Sequence, residues 1–230
     1  MATNDSARVF EILKTNRLIG LLAPASAAQC LTAYETLFPL GIILEVAFRT
    51  EAAADGLRLV RERHPDALLL AGTVMTRVQA RRALEAGAAG IVSADYIPGV
   101  VEECVKADVM VVPGGLGDCG KQLAQKAELY GCDFIELRVK HPYQWVYKLF
   151  PAATKTQTFV ELASAWRGPY KDLTVIHTGG VALANLARLA ASDPAGIFCG
   201  SALTARVDEP AEMAEEAARW ISALKQAVRA

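Results

Sequence analysis

The sequence is poor in the residues that build disulfide frameworks and metal sites. Only three of its 230 residues are histidine and only five are cysteine. The cysteines are Cys30, Cys104, Cys119, Cys132 and Cys199. Because they are scattered, odd in number and never spaced as a Cys-x-x-Cys pair, they argue against a disulfide framework or a zinc site. They favour small buried thiols in a reducing compartment, and we predict a protein that needs no metal and no cofactor.

Excess charge and long apolar segments are also absent. The formal net charge is −1 at pH 7, so electrostatics give no reason to expect a nucleic acid or an anionic membrane as partner. No apolar run reaches the length that spans a bilayer. Residues 1–8 lack the basic-then-apolar layout of a secretory signal. These absences predict a cytoplasmic protein.

What the sequence does contain is a regular alternation of two kinds of segment. Short apolar runs are typical of strands buried on both faces, and a longer segment with helical periodicity follows each of them. The predicted strands cover residues 18–23, 42–48, 67–74, 90–94, 109–113, 146–150, 174–178 and 196–200. The predicted helices cover residues 27–38, 51–63, 77–86, 98–106, 121–130, 157–166, 183–191 and 210–228.

Eight alternating units predict a parallel sheet with right-handed crossovers. At this chain length they favour closure into a single-domain (β/α)8 TIM barrel over an open doubly wound sheet. A further helix at 9–15, in an N-terminal extension of residues 1–17, is expected to cover the bottom of the barrel. Residues 131–147 allow two interpretations. In the first, strand six begins at Phe134 and is interrupted. In the second, residues 131–147 are an insertion before a strand at Val146, and this second alternative is the prediction.

Two charged residues stand inside otherwise apolar strands, Glu45 in LEVAF and Lys148 in YKLFPA. Burying a carboxylate without a partner is costly, so an inward-facing Glu45 needs a cation, and Lys148 is the candidate. The alternative is a structural ion pair. Apolar surroundings disfavour the ammonium form of a lysine and leave the free amine that attacks ketones. The alternative for Lys148 is a lysine that snorkels from an exposed strand end.

Further polar residues follow the strands at the end where such barrels hold their active sites. Arg49 can grip a carboxylate with two hydrogen bonds, and Thr73 can add a hydroxyl, unless Arg49 is only a solvated charge at a helix start. Glycines before a helix leave N–H groups accessible to anions, although ordinary turns need glycine too. The predicted phosphate loops contain Gly179, Gly180, Gly200 and Ser201. His177 is either a ligand contact or a core histidine.

Five segments occur in the order known from one enzyme family. They are LEVAFRTEAAADGLRLV, LLAGTVMT, YKLFPA, HTGGVALANLARL and GIFCGSAL, within about residues 8–205. They resemble, in turn, the Glu-Val-x-x-Arg-Thr, Gly-x-Gly-Thr-Val, Lys-x-Phe-Pro-Ala, Pro-Thr-Gly-Gly-Ile and Gly-Gly-Ser segments of one family. That family is the 2-keto-3-deoxy-6-phosphogluconate/4-hydroxy-2-oxoglutarate (KDPG/KHG) aldolases.

The resemblance implies a class I aldolase, a lyase that splits a 2-keto-3-deoxy sugar acid or a 4-hydroxy-2-oxo acid into pyruvate and an aldehyde. The expected reaction is KDPG to pyruvate and glyceraldehyde 3-phosphate. It implies that Lys148 forms the Schiff base and that Glu45 shuttles protons. It also implies that Arg49 and Thr73 bind the pyruvyl carboxylate of the small keto-acid substrate, and that the chain forms a homotrimer.

The sequence departs from the family pattern at the aldehyde end of the site. Ser-Pro-Gly after strand four is Ser-Ala-Asp at 93–95, and the Thr-x-x-Glu turn after strand five is LGDCGK. His177 replaces a proline, and the Gly-Gly after Phe-Pro-Ala is absent, with polar residues at 154–156 as candidate substitutes. Two other functions therefore stay open. One is a different phosphate-binding barrel enzyme, an isomerase or a synthase, and the other is a non-catalytic protein that binds a keto acid or phosphosugar.

Overall fold

The computed structural model describes residues 4–227 and shows a barrel of parallel strands surrounded by helices. Within that range the strands are β1 (Leu18–Leu22), β2 (Ile43–Ala47), β3 (Leu69–Gly72), β4 (Gly90–Val92), β5 (Met110–Val112), β6 (Gly114–Gly115), β7 (Val146–Leu149), β8 (Thr174–Thr178) and β9 (Ile197–Gly200). The helices are α1 (Asp5–Asn16), α2 (Ala27–Leu37), α3 (Ala52–Arg63), α4 (Arg77–Glu85), α5 (Pro98–Lys106), α6 (Cys119–Leu129), α7 (Phe134–Lys140), α8 (Leu162–Arg167), α9 (Leu183–Ser192) and α10 (Pro210–Ala227).

The sheet closes on itself through one interrupted strand. The strand order is β5-β4-β3-β2-β1-β9-β8-β7-β6, and β5 and β6 are consecutive pieces of chain on either side of Pro113. Proline has no N–H for a ladder, so the ladder breaks there, β5 pairing with β4 and β6 with β7. Because the two ends of the sheet are one run of chain, the strands form a nearly closed barrel, and the predicted TIM-barrel fold is confirmed.

Successive side chains of each strand point alternately into the barrel and out toward the helices, as strand geometry requires. One cluster fills the interior with Ile19, Ile43, Leu70, Val112, Ile176, Ile197 and their neighbours. A second cluster lies between the outer face of the sheet and the helices, and includes Leu44, Val46, Leu69, Ala71 and Phe198. A third cluster packs α6, α7 and α8 against the outside of β7 and β8. The core therefore lies on both faces of the sheet.

Helix α1 covers the bottom of the barrel. Val9, Phe10 and Leu13 belong to the interior cluster. The Ser6 hydroxyl donates to the carbonyl of Ala89 at 2.7 Å and accepts from the backbone N–H of Met110 at 2.8 Å. Apolar groups fill most of the N-terminal end of the barrel, and the charged interior side chains Glu45 and Lys148 lie toward the other end.

The segment before β7 adopts one of the two predicted alternatives. Residues 134–140 form helix α7 rather than a strand, and its first turn is fixed by a capping box in which Asp133 and Glu136 bond each other's backbone N–H groups. Leu137 is its one fully buried residue, while Ile135 and Val139 are 66% and 68% exposed. The interpretation of a strand beginning at Phe134 is therefore wrong, because the capping box and the burial of Leu137 favour a helix.

The start of one helix differs clearly from the prediction. Residues 157–161 are not helical, since the chain after β7 folds into a tight turn held by the N–H of Thr154 on the carbonyl of Gln157 and by an Ala153–Thr158 bridge. Helix α8 consequently begins only at Leu162. The predicted end of the last helix at residue 228, like residues 1–3 of the N-terminal extension, lies outside the described residues.

A buried lysine ties the inserted segment to the barrel. Lys126 on α6 is fully buried, and its Nζ donates to the backbone carbonyls of Val111, Gln144 and Val146 at 3.3, 2.5 and 3.1 Å. These carbonyls belong to β5, to the turn that ends the insertion and to β7. Burial lowers the pKa of Lys126 to about 7. Over the part of the chain described, no helix combines the length and the apolar character needed to cross a membrane.

Candidate active site

Glu45 and Lys148 both point into the barrel near the carboxyl ends of their strands. Glu45 shares the inward face of β2 with Ile43, and Lys148 shares that of β7 with Val146. Their exposed fractions are only 2% and 4%. The interior position follows from the alternation of each strand, which sets these charges two residues beyond an inward apolar side chain. The structure thus brings the two predicted residues together in one low-dielectric space.

The Lys148 amine is held by a backbone carbonyl and covered by an aromatic ring. Its Nζ donates to the carbonyl oxygen of Ser93, just after β4, at 3.0 Å. The Phe150 ring centroid lies 5.1 Å from Nζ, and Phe150 itself is partly exposed at the barrel mouth. A lysine buried to this degree is not a snorkelling surface residue, because the amine and not only the stem is enclosed.

Glu45 packs against a position where a side chain would displace its carboxylate. A Cβ atom at Gly72 on β3 would collide with the Glu45 carboxylate, so the close approach of the β3 backbone shapes the pocket around it. Burial raises the pKa of Glu45 above its usual value, while the charge of Lys148, a hydrogen bond from Cys199 and the charge of Arg49 each lower it. The carboxyl group is therefore suited to exchange protons nearer neutrality than an exposed glutamate would.

Arg49 and Thr73 meet at the rim above Glu45. The Nε of Arg49, directly after β2, donates to the Thr73 hydroxyl, directly after β3, at 3.3 Å. Arg49 is exposed and Thr73 is half-buried, so both reach solvent. Thr73 has a positive φ of 54°, a strained backbone for a β-branched residue that is often found at functional sites. A guanidinium and a hydroxyl in contact can together bind a carboxylate.

The predicted phosphate loops follow β8 and β9 at the same end of the barrel. Gly179 and Gly180 both have positive φ, and a side chain at Gly180 would strike the carbonyl of Ala153. Gly200 is required for a different reason, because any side chain there would collide with Trp220 of α10. Ser201 is exposed and begins a short 3-10 turn, Ser201–Thr204. Gly179 and Gly180 therefore lie beside the Lys148 strand, whereas Gly200 and Ser201 lie one strand further away, with Gly200 facing a helix.

His177 lies outside this group, which corrects its predicted contact with substrate. It is fully buried on the outer face of β8, where its ring stacks on Phe198 and its Nε2 lies 2.7 Å from Oδ2 of Asp193. Arg167 also bonds Asp193. Alternation along β8 explains the position, since Ile176 and Thr178 point inward and His177 between them points outward. His177 is thus a core histidine in a buried polar network.

Two interior side chains near Glu45 were not among the predicted site residues. The Sγ of Cys199 lies 3.7 Å from Oε2 of Glu45. Thr178 pairs with Cys199 in the ladder between β8 and β9, and apart from its contact with the Cys199 thiol its buried hydroxyl makes no hydrogen bond among the described residues. The sequence signal for both was the strand alternation, because Cys199 follows the inward-facing Ile197 by two residues.

The arrangement provides the groups that a Schiff-base reaction needs. A primary amine is enclosed in an apolar space, a carboxyl group with a raised pKa lies in the same space, and a cationic rim stands above both. An enclosed amine can add to a carbonyl, and a nearby carboxylate can move protons to and from the adduct. The glycine loops add backbone groups suited to an anion.

Comparison with known proteins places this geometry in one family. A family model described as KDPG and KHG aldolase matches residues 9–214. A 2-dehydro-3-deoxy-phosphogluconate aldolase of Treponema pallidum is 33% identical over 193 residues, covering 84% of this chain and 83% of that protein. The enzyme of the same name from Haemophilus influenzae is 30% identical over 180 residues, covering 78% of this chain and 77% of that protein.

A solved structure shares the fold over the whole chain. The KDPG aldolase of Legionella pneumophila, solved with pyruvate captured as a covalent carbinolamine, superimposes with a TM-score of 0.68 at 22% identity, covering 100% of this chain and 98% of the other. The family match covers residues 9–214, which include the strands that carry Glu45 and Lys148, and each of the two curated relatives matches more than three quarters of the chain. The chain therefore belongs to the KDPG and KHG aldolase family, whose members are lyases.

Proposed function

We propose that this protein is a class I aldolase that cleaves a 2-keto-3-deoxy sugar acid or 4-hydroxy-2-oxo acid into pyruvate and an aldehyde, with Lys148 as the Schiff-base residue. The observation that carries the proposal is the burial of Lys148 and Glu45 in the same end of the barrel, at 4% and 2% exposure. A simple sugar-phosphate isomerase or a binding protein has no need of an enclosed amine beside a carboxyl group.

The first half of the reaction joins the substrate to Lys148. The neutral amine adds to the C2 carbonyl to give a carbinolamine, and loss of water gives a protonated imine. The carbonyl of Ser93, which accepts from Nζ at 3.0 Å, orients the amine before attack. Arg49 and Thr73 are the groups we assign to the C1 carboxylate, because their side chains already meet at the rim.

The second half breaks the carbon chain. The Glu45 carboxylate takes the proton of the C4 hydroxyl, directly or through one water, and the C3–C4 electron pair flows into the protonated imine. The aldehyde leaves, and protonation of the resulting enamine at C3 gives the pyruvate imine. Water then adds to C2, pyruvate is released, and Lys148 returns to the free amine.

Trapping with borohydride tests the assignment of the amine. Pyruvate and borohydride together should reduce the imine to a stable adduct on Lys148, found by mass mapping of peptides, and Lys148→Ala should abolish both trapping and pyruvate release. Lys126 is the internal control, because it is fully buried yet enclosed by backbone carbonyls. Labelling of another lysine, or of none, would defeat the proposal.

The role of Glu45 is tested separately. Glu45→Gln keeps the shape of the side chain and leaves Lys148 available, so pyruvate trapping should persist while the rate of cleavage falls about 10²–10⁴-fold, the usual contribution of a general base. Because burial raises the pKa of Glu45 and the reaction needs the carboxylate, wild-type kcat/KM should fall as the pH drops through that raised value. Normal turnover by the glutamine variant would assign proton transfer to another group.

For the substrate we propose KDPG, with glyceraldehyde 3-phosphate as the second product. The glycine-lined ends of β8 and β9 support an anion at the distal end of the substrate, and two curated relatives carry the KDPG aldolase name. Pyruvate release, coupled to lactate dehydrogenase, should be compared across phosphorylated and unphosphorylated 2-keto-4-hydroxy acids. A clear preference for unphosphorylated substrates would overturn the choice of KDPG.

The assembly and location follow from the same family membership. We propose a cytoplasmic homotrimer, with a mass about three times the 24.6 kDa of one chain. A solved cage built by fusing symmetric oligomeric domains resembles this chain with a TM-score of 0.71, which supports an oligomer. Sedimentation equilibrium measures the mass directly, and a monomer would reject the proposal.

A further inference from the structure

A thiol lies against the carboxyl group inside the barrel. Cys199 on β9 places its Sγ 3.7 Å from Oε2 of Glu45 on β2, and Cys199 is 2% exposed. In the sheet, β1 separates these two strands, so the contact is made through the barrel interior and not along a ladder. Water has little access to compete for either group.

The thiol is the donor in this contact. Burial, together with the negative charge of Glu45, raises the pKa of Cys199 well above its usual value, so the sulfur keeps its proton. A thiol is a weak donor, but hydrogen bonds to an ionised acceptor are stronger than bonds between neutral groups. The contact therefore favours the ionised form of Glu45, against the effect of burial.

Other groups that face Glu45 come from several strands. Lys148 on β7 and Arg49 after β2 lower the pKa of Glu45 through their charges. Gly72 on β3 has no side chain and faces Glu45 with its backbone. Lys148 is already bonded to the carbonyl after β4, and Arg49 to the Thr73 hydroxyl. Of these groups, the thiol is the one that donates a hydrogen bond to the carboxylate.

A second feature beside the thiol points toward a ligand. Thr178 is paired with Cys199 across the β8–β9 ladder and is 7% exposed. Its hydroxyl lies close enough to the Cys199 thiol to lower the pKa of that thiol, and it makes no other hydrogen bond within residues 4–227. Buried hydroxyls are rarely left unsatisfied, so this one is placed to meet a polar group of a substrate or a water next to Glu45.

We propose that Cys199 is a positioning residue, whose thiol holds the Glu45 carboxylate ionised and oriented toward the C4 hydroxyl of the substrate bound to Lys148. The adjacent Thr178 hydroxyl is left for the substrate or its water. This inference rests on the proposed aldol cleavage, because that reaction requires Glu45 to accept a proton. A thiol that only filled space would exclude water and so raise the pKa of Glu45, whereas a donated hydrogen bond lowers it.

Three variants separate hydrogen bonding from packing. Cys199→Ala removes the donor, Cys199→Ser restores a hydroxyl donor, and Cys104→Ala makes the same change at a buried cysteine on α5, outside the barrel. Should the alanine variant fail to fold, Cys199→Val fills the space of the thiol without a donor and takes its place.

Two readouts are measured on each protein. The first is the carboxyl titration of Glu45 by NMR with 13C-labelled glutamate, its signal identified by its loss in Glu45→Gln. The second is the pH profile of kcat/KM for pyruvate release. In Cys199→Ala both the titration midpoint and the acidic limb should move up by about one pH unit, as expected for one lost hydrogen bond to a charged group. Cys199→Ser and Cys104→Ala should keep both near the wild-type values.

The outcomes distinguish this inference from the proposed function. An unchanged Glu45 midpoint in Cys199→Ala, or equal shifts in the alanine and serine variants, would overturn the role of the thiol. A shift of the Glu45 titration midpoint without a shift of the acidic limb of kcat/KM would also overturn it, because the effect of Cys199 on Glu45 would then not influence the reaction. Absence of pyruvate trapping in the wild type would instead reject the aldolase proposal, while the NMR titration would still report whether the thiol acts on Glu45.

Discussion

The backbone of β3 comes so close to Glu45 that a side chain at position 72 would displace the carboxylate. A Cβ at Gly72 would collide with several atoms of the Glu45 side chain. The conformation of that side chain is therefore fixed from one side by backbone, which cannot yield as a flexible side chain would. On another side the Cys199 thiol contacts it. A carboxylate held in this way is well suited to the proposed role of general base, which depends on fixed geometry.

Gly72→Ala should displace the Glu45 carboxylate and damage activity more than stability. We expect kcat/KM to fall about a hundredfold, the usual effect of misplacing a reacting group by about 1 Å. The free energy of unfolding should fall by about 1–3 kcal/mol, as for other overpacked interiors. Steady-state kinetics and urea unfolding measure the two effects.

Gly168→Ala provides the control for this substitution. Gly168 ends α8 at the surface, and a Cβ there meets only the carbonyl of Ala165 at 3.4 Å, an ordinary contact. Both activity and stability should stay near wild type. If Gly72→Ala also leaves activity and stability near the wild-type values, the close approach of β3 does not position Glu45.

Individual site residues were predictable where a charge interrupts an apolar strand. Glu45 and Lys148 are such charges, and their inward position follows from the period of two along a strand. The same rule, applied to β8, separates the inward Thr178 from the outward His177, which the sequence analysis left open. The Cys199 contact was not predictable, because a lone buried cysteine is usually a small apolar residue and its partner is distant in sequence.

At the scale of elements, helix α7 is the segment whose sequence most resembles a different structure. Its sequence alternates between apolar and polar residues like a strand, but Asp133 and Glu136 have the spacing of a capping box, which marks a helix start. The helix packs through Leu137 and leads to a turn whose carbonyls are held by Lys126. A buried ammonium with three acceptors thus fixes the insertion against β5 and β7.

Lys126→Met should make the stability of the protein less dependent on pH above neutrality. Burial lowers the pKa of Lys126 to about 7 in the folded state, whereas an unfolded lysine titrates near 10.4. Between these values the unfolded chain binds more protons, so the contribution of Lys126 to stability rises with pH. The difference in unfolding free energy, wild type minus variant, should increase by as much as about 1 kcal/mol per pH unit over that window.

Urea unfolding at several pH values between 6 and 10 measures this difference. Lys121→Met is the matched control, because Lys121 lies on the same helix but is exposed. Its difference from wild type should stay flat across the range. Parallel curves for both methionine variants would show that Lys126 keeps its proton to high pH in the folded protein.

At the scale of the whole molecule, the apolar residues that stabilise the barrel and the residues of the candidate active site lie toward opposite ends. Helix α1 closes the bottom with Val9, Phe10 and Leu13 in the interior cluster, while the charged interior residues lie toward the carboxyl ends of the strands. In (β/α)8 barrels the bottom face generally serves stability and the top face serves catalysis. Substitutions at the two ends should therefore affect different measurements.

Phe10→Ala should lower stability without changing the reaction. Phe10 is 4% exposed, and removing a buried aromatic side chain costs about 3–5 kcal/mol. Thermal and urea unfolding should show this loss, whereas kcat/KM and pyruvate trapping on Lys148 should be unchanged well below the melting temperature. Glu11→Ala, at a neighbouring exposed position, should leave both unchanged. A marked loss of kcat/KM in Phe10→Ala would mean that the two ends of the barrel are coupled.

The sequence by itself determined the fold class, the order of strands and helices, and the two charges inside the barrel. These are local features, because strand and helix periodicity and an isolated charge in an apolar run are visible within a few residues. Only the tertiary structure decided that β3 approaches Glu45 so closely that a side chain at position 72 would displace the carboxylate, that Cys199 touches Glu45, and that His177 faces outward into a polar network. Such contacts join residues far apart in the chain, and their distances depend on how the barrel closes, which no local pattern encodes.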